Sequence, residues 1–145
     1  MTIRRATLQD LDELCRLSRL EHAQSRMSAQ PYEPEKVRQS FSAAVTGMSA
    51  AVFVSETPDG LGGLIVGMVQ GNLFNRFWSA YEVLWFATDG SGLKLLEALK
   101  DWAGRMRCTE LVIHNYAGIK SPESFNKVMT RKGFGHLGTS FVAAL

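Results

Sequence analysis

Trp85-Phe86-Ala87-Thr88-Asp89-Gly90-Ser91-Gly92-Leu93-Lys94-Leu95-Leu96 runs from an apolar stretch through two glycines straight into a helical pattern. Tyr81 to Ala87 reads as a strand, apolar except for Glu82. Leu93 to about Arg107 reads as a helix with Leu95, Leu96, Leu99, Trp102, Ala103 and Met106 on one broad inner stripe. Glycines let the backbone turn tightly and expose successive N–H groups, and a helix start adds unpaired donors and a partial positive charge. Strand, glycine turn and helix N-terminus in this order make a place for phosphate. The same order also serves as a plain strand-to-helix connection, so the turn by itself does not decide between the two.

Outward from this unit the chain alternates strands and helices, with no repeat and no low-complexity tract. On the N-terminal side Ile3 to Ala6 is a short strand. Thr7 is a good N-cap for a helix carrying Leu8, Leu11, Leu14, Cys15 and Leu17 inward. A polar stretch from His22 to Tyr32 follows, and Pro34 starts a second helix with Val37, Phe41 and Val45 at helical spacing. Ala50 to Glu56 and Leu61 to Gly71 are β-rich runs joined by Thr57-Pro58-Asp59-Gly60, which has hairpin turn chemistry. On the C-terminal side Glu110 to Asn115 is a strand, and Ser121-Pro122-Glu123 opens a last helix that Gly133 ends. Short strands at Gly135 to Leu137 and Thr139 to Ala143 close the order β-α-α-β-β-β-α-β-α-β-β. An antiparallel front half joined to a βαβ crossover implies a mixed sheet with helices on both faces.

A chain of 145 residues, 46% of them apolar, has material for one continuous core, so residues 1–145 are expected to form a single domain. Its 16 basic residues against 14 acidic ones are scattered apart from pairs such as Arg4-Arg5 and Arg131-Lys132. That argues against nucleic acid, which asks for a clustered basic face. The longest apolar runs, Ala50 to Val54 and Leu64 to Val69, are strand-sized and short of the roughly 20 residues a membrane helix needs. The N-terminus has no apolar h-region, so a cytoplasmic protein with no membrane partner is expected. Cys15 and Cys108 lie far apart without ligand spacing, which speaks for buried thiols rather than a metal site or a disulfide.

Four stretches together resemble a known family: IRRATLQDLDELCRL (3–17), GGLIVGMVQG (62–71), GSGLKLLEALKDWA (90–103) and FNKVMTRKGF (125–134). In order and spacing they are similar to the GNAT N-acetyltransferase superfamily. The polar segment EHAQSRMSAQPYEPEKV (21–37) looks like a subgroup common among bacterial and prophage-encoded members. The resemblance covers essentially the whole chain. It implies an α+β fold, with a mixed, mostly antiparallel sheet of six to seven strands flanked by about four helices.

It also implies an acyl-CoA, acetyl-CoA first, as co-substrate, with no metal. The phosphate-cradling positions would be Ala87, Thr88, Asp89, Gly90, Ser91, Gly92, Leu93 and Lys94, with Phe86, Asn115 and Phe125 also along the cofactor. Glu82 matches the glutamate that serves some members as general base. Inside an apolar strand its pKa is expected to rise toward neutrality. The other reading of Glu82 is a glutamate on the solvent face or one paired with an arginine such as Arg76. By the same match the backbone N–H of Phe86 would polarise the thioester carbonyl. Met129 stands where many members carry a tyrosine that protonates the leaving thiolate, so either a neighbour such as Tyr116 or His114 would supply the proton, or the thiolate, with a pKa near ~8.5, would leave unassisted. His22, Arg26 and Tyr32 would border the acceptor site. Phe74, Phe77, Trp78, Tyr81 and Trp85 read as core or strand edge, with a homodimer contact as the second reading.

Two departures from the family pattern stand out. Ala87 occupies the Gln/Arg position of the phosphate loop, and Asp89 places a carboxylate within it. The functional expectation is transfer of an acetyl group to the amine of a small molecule or peptide by direct attack. Its rival is a GNAT-like module that binds without turnover.

Overall fold

The computed structural model describes residues 1–114 and 121–145. By contact density the chain divides into two units, the first being Met1–His114. This unit contains β1 (Thr2–Arg5), α1 (Leu11–Gln24), α2 (Pro34–Thr46), β2 (Ala50–Thr57), β3 (Gly60–Gly71), β4 (Trp78–Ala87), α3 (Gly92–Arg105) and β5 (Cys108–Val112). The five strands lie side by side in chain order. All neighbours are antiparallel except β4 and β5, which run parallel because α3 carries the chain back across the sheet.

Strand alternation sends alternate side chains of β2 and β3 to opposite faces. On one face Val52, Val54, Leu64 and Val66 meet Leu14 and Leu17 of α1 and Phe41 of α2 in one buried cluster. On the other face α3 comes close enough that its side chains occupy the space above glycines. Leu95 stands over Gly63, and Leu99 and Trp102 stand over Gly67. Leu95, Leu96 and Leu99 are at most 2% exposed. Each such leucine is worth roughly 2 kcal/mol of burial.

The entry to α1 differs from the expected one. Thr7 does precede a turn, but Leu8–Asp10 is a short 3-10 segment and Leu8 is 47% exposed. The Asp10 carboxylate explains this. It accepts from the Thr7 N–H at 2.8 Å and from both Arg4 terminal nitrogens at 2.8 Å, pinning the segment to β1. Chiefly through the Arg4 hydrogen bond, the Asp10 carboxyl is pulled down to about 2. A depressed carboxyl stabilises the fold above its unfolded value, and the contribution fades as pH falls toward 2. Asp10→Ala should therefore lower stability by about 1–2 kcal/mol at pH 7. Chemical denaturation should show the gap between variant and wild type shrinking below pH 4.

The second unit, described from residue 121 onward, contains α4 (Pro122–Arg131). Its start follows the sequence reading, with the Ser121 hydroxyl accepting from the Ser124 N–H at 3.3 Å. Its end is closed by the Phe134 N–H donating to the Met129 carbonyl at 2.9 Å. The two closing strands expected at Gly135 to Leu137 and Thr139 to Ala143 are not formed, and among the described residues the sheet has five strands rather than six or seven. Both runs are short and separated by Gly138, and a two-stranded hairpin by itself is marginal in water. Among the described residues no helix is long and apolar enough to cross a membrane.

Candidate active site

The parallel pairing of β4 with β5 starts at Trp78 opposite Cys108 and ends at Tyr81 opposite Val112. Beyond Tyr81 that edge of β4 has no described strand partner, while its other edge stays paired to β3 as far as Ala87 opposite Gly63. Among the described residues the β4–β5 pairing therefore ends just before Glu82. On the β3 side the ladder shifts register where Val66 faces Leu84 and Gly67 faces Glu82, so Val83 is an extra residue. Such bulges bend a strand and re-aim its side chains.

Glu82 is 5% exposed and pairs with Gly67, across the Val83 bulge from Leu84 and Phe86, both of which pack against the α1 cluster. Its carboxylate accepts from the His114 backbone N–H at 3.2 Å. Burial drives its pKa up to about 7, the His114 hydrogen bond opposes that rise, and the charge of Glu21 adds to it. Near neutral pH this is a carboxyl group poised to take or give a proton.

The edge of β4 away from β3 also carries peptide N–H groups, and their identity follows from the ladder. Thr88 N–H donates to Gly62 C=O at 2.8 Å, so residues 62 and 88 form a hydrogen-bonded pair. Antiparallel alternation gives Leu64 and Phe86 the same kind of pairing. The Phe86 N–H is thereby committed to β3, which corrects the expectation that it polarises a substrate carbonyl. Trp85 and Ala87 are the residues whose N–H groups point away from β3.

Past β4 the chain enters the glycine turn. Gly90 has φ +78°, a left-handed conformation that suits a residue without a side chain. The first α3 bond runs from Leu95 N–H to Ser91 C=O at 3.0 Å, so Gly92, Leu93 and Lys94 have no acceptor within the helix. The Trp85 indole donates to the Gly92 carbonyl at 3.1 Å and braces the helix start from below. Thr88 ties the loop to the sheet through its N–H and its hydroxyl, both donating to Gly62 C=O. Lys94 is exposed one turn into α3.

The Asp89 side chain is held within the protein. Its carboxylate turns under the loop, accepting from the Ser55 hydroxyl of β2 and from the Ser91 N–H at 3.0 Å. Burial pushes the Asp89 carboxyl upward, but the hydrogen bonds from Ser55 and Ser91 together outweigh it and hold it below the ordinary value.

The residues expected to choose the acceptor are tied to α1. The Tyr32 hydroxyl is 2.8 Å from the Ser18 hydroxyl and donates to Cys15 C=O at 3.1 Å, and the Arg19 guanidinium lies 4.7 Å from the ring centre. His22 stacks edge-on against Tyr32 and reaches Gln30 C=O. Tyr32 lines a groove of about 420 Å³ with Asp12, Arg16 and Arg19. At 100° per residue these α1 positions lie opposite Leu14, Leu17 and Glu21, so the groove and Glu82 are on different sides of the helix. Arg26 is exposed in the short 3-10 segment Arg26–Ala29. Phe125 is half-buried on α4 in the second unit, while Asn115 and Tyr116 lie outside the described residues. Of the aromatic group, Tyr81 and Trp85 are half-buried on β4, whereas Phe74 at the hairpin tip is 90% exposed.

Two participants escaped the sequence reading. Glu21 follows Leu17 by one helical turn and so shares its sheet-facing side, a spacing that was there to be read. Ser55 is a polar residue at a buried position of an apolar alternation, and only the folded loop shows what it binds.

Among solved structures, the BH1408 protein from Bacillus halodurans, solved as a tetramutant, matches with a TM-score of 0.77 at 20% identity over 100% of both chains. An aminoglycoside acetyltransferase, meta-AAC0020 from an uncultured soil metagenomic sample in complex with sisomicin, matches with a TM-score of 0.73 at 16% identity over 99% of this chain and 95% of that one. Ribosomal-protein-alanine N-acetyltransferase from Brucella melitensis biovar Abortus 2308 matches with a TM-score of 0.69 at 16% identity over 100% of both chains. No protein-family model matches the chain, and no curated protein does. At these identities the likeness establishes the fold, which is that of the GNAT acetyltransferases.

Proposed function

We propose that the protein is an acyl-CoA-dependent N-acyltransferase that moves an acetyl group to a primary amine by direct attack. The observation that carries this reading is a buried Glu82 placed just past the last described β4–β5 pair, on the strand that leads through the glycine turn into the uncapped start of α3. The N–H groups of Gly92, Leu93 and Lys94 would hold the pyrophosphate, with the helix dipole behind them. The N–H groups of Trp85 and Ala87 would line the pantetheine arm, and the one nearer the thioester would stabilise its developing oxyanion. The donor supplies a thioester, whose C–S bond breaks as the new C–N bond forms. Glu82, as carboxylate, would take the proton that the attacking ammonium must shed. The separate reading, a module that binds without turnover, is favoured by Ala87, which offers no polar side chain to the phosphates.

Calorimetric titration with acetyl-CoA and with free CoA tests the donor site without knowledge of the acceptor. One-to-one binding in the micromolar range, weakening as salt rises, is expected for a site built on helix-terminal donors. No heat at millimolar ligand would sink the reading. Binding without acetylation of any amine or peptide in a broad panel would leave the non-catalytic module standing instead.

A further inference from the structure

The turn at Gly90-Ser91-Gly92 is short, and Ala87 at its entrance gives it no long side chain to shape it. Something else must fix its amides. Beneath it, besides the Trp85 indole that holds the Gly92 carbonyl and Gly63 under Ser91, lie Ser55 of β2, the Gly62 backbone of β3 and the carboxylate of Asp89. Ser55 is fully buried and sits opposite Gly63, in the strand pair beneath the loop. A Cβ at Gly62 would collide with the Asp89 carboxylate, so the bare backbone there is what lets the carboxylate fold under. One carboxylate oxygen takes the Ser55 hydroxyl and the other takes the Ser91 N–H. Gly92, Leu93 and Lys94, the next three donors, are left to the mouth of the helix.

We propose that Asp89 is a positioning residue for donor binding: clamped by Ser55 beneath the loop, it sets the turn so that the first free amides of α3 face the phosphates. This rests on the reading of that turn as the pyrophosphate site. A clamp and a repelling charge have opposite consequences. If charge dominated, removing it would tighten CoA binding. If the clamp dominates, removing the acceptor loosens the turn and weakens binding, and asparagine rescues it, because its amide oxygen still accepts from Ser91 and its NH₂ can meet Ser55.

The experiment is CoA titration of wild type, Asp89→Ala, Asp89→Asn and Ser55→Ala, with amide hydrogen exchange at Ser91 measured on each free protein. Asp89→Ala should weaken CoA about tenfold or more and speed Ser91 exchange by a similar factor. Asp89→Asn should stay within about threefold of wild type in both. Ser55→Ala leaves the loop sequence intact and should move in the same direction as Asp89→Ala, so it carries the test if the latter does not fold. Tighter CoA binding in Asp89→Ala and Asp89→Asn overturns the proposal in favour of repulsion. Unchanged Ser91 exchange in Asp89→Ala and Ser55→Ala overturns it whether or not CoA binds. A wild type that binds no CoA, with fast Ser91 exchange in the variants, instead sinks the donor-site reading and with it the link from clamp to ligand.

Discussion

Glu82→Gln is expected to lower turnover of an acetylated amine by about 10²-fold or more while leaving CoA affinity near wild type. An alkylammonium with a pKa near ~10 is almost wholly protonated at neutral pH, so the attacking nitrogen needs a proton acceptor close by. Glu82 has its pKa raised to about 7, mainly by burial. Wild-type activity should therefore rise as pH climbs through about 7, where Glu82 becomes a carboxylate, and the variant should lose that limb. A second readout needs no acceptor at all. The folded protein holds the Glu82 proton up to about 7 and the unfolded chain releases it near 4.5, so wild-type stability falls as pH rises between those values. Glutamine keeps an oxygen for the His114 N–H and never ionises. Relative to wild type, Glu82→Gln should therefore be no more stable at pH 4 and about 3 kcal/mol more stable at pH 8. A variant that turns over amine at the wild-type rate across neutral pH removes Glu82 from the chemistry. A pH-independent stability difference would show that the carboxyl is not held protonated by burial.

The sequence reading failed where side-chain pattern had no bearing on the outcome. Side-chain periodicity and turn residues placed the strands and α-helices of the first unit, though not its 3-10 segments Leu8–Asp10 and Arg26–Ala29, because a core-facing stripe such as Leu95, Leu96 and Leu99 constrains an element along its whole length. The two closing strands had only β-forming residues behind them, and a strand exists by virtue of its partner. The site shows the same division. Glu82 was legible because a lone acid in an apolar strand is conspicuous. The direction of the Phe86 N–H was not, because it depends on how β4 registers with β3 and on a one-residue bulge at Val83. Asp89 was read as a charge in a phosphate loop because its real partners, Ser55 and the Gly62 backbone, are roughly thirty residues earlier in the chain.

Gly92→Asp is expected to weaken CoA binding by on the order of 10²-fold without unfolding the protein. Gly92 is the first residue of α3, where an acidic side chain suits the helix dipole, so the fold has no electrostatic objection to it. Nor does it have a steric one. A Cβ at Gly92 would lie 3.6 Å from the Trp85 indole nitrogen, an ordinary contact distance. What changes is the mouth of the helix. A carboxylate there competes for the N–H groups of Leu93 and Lys94 and repels each charge of a pyrophosphate a few ångströms away. Gly92→Ala separates volume from charge, since its methyl group fits over Trp85 and should alter affinity by no more than about threefold. Because exposed charges are screened, the deficit of the aspartate variant should narrow as salt rises from 50 mM toward about 0.5 M. Thermal unfolding alongside each titration tells a lost site from a lost fold. An aspartate variant that melts with wild type and binds CoA equally well would place the phosphates away from the start of α3.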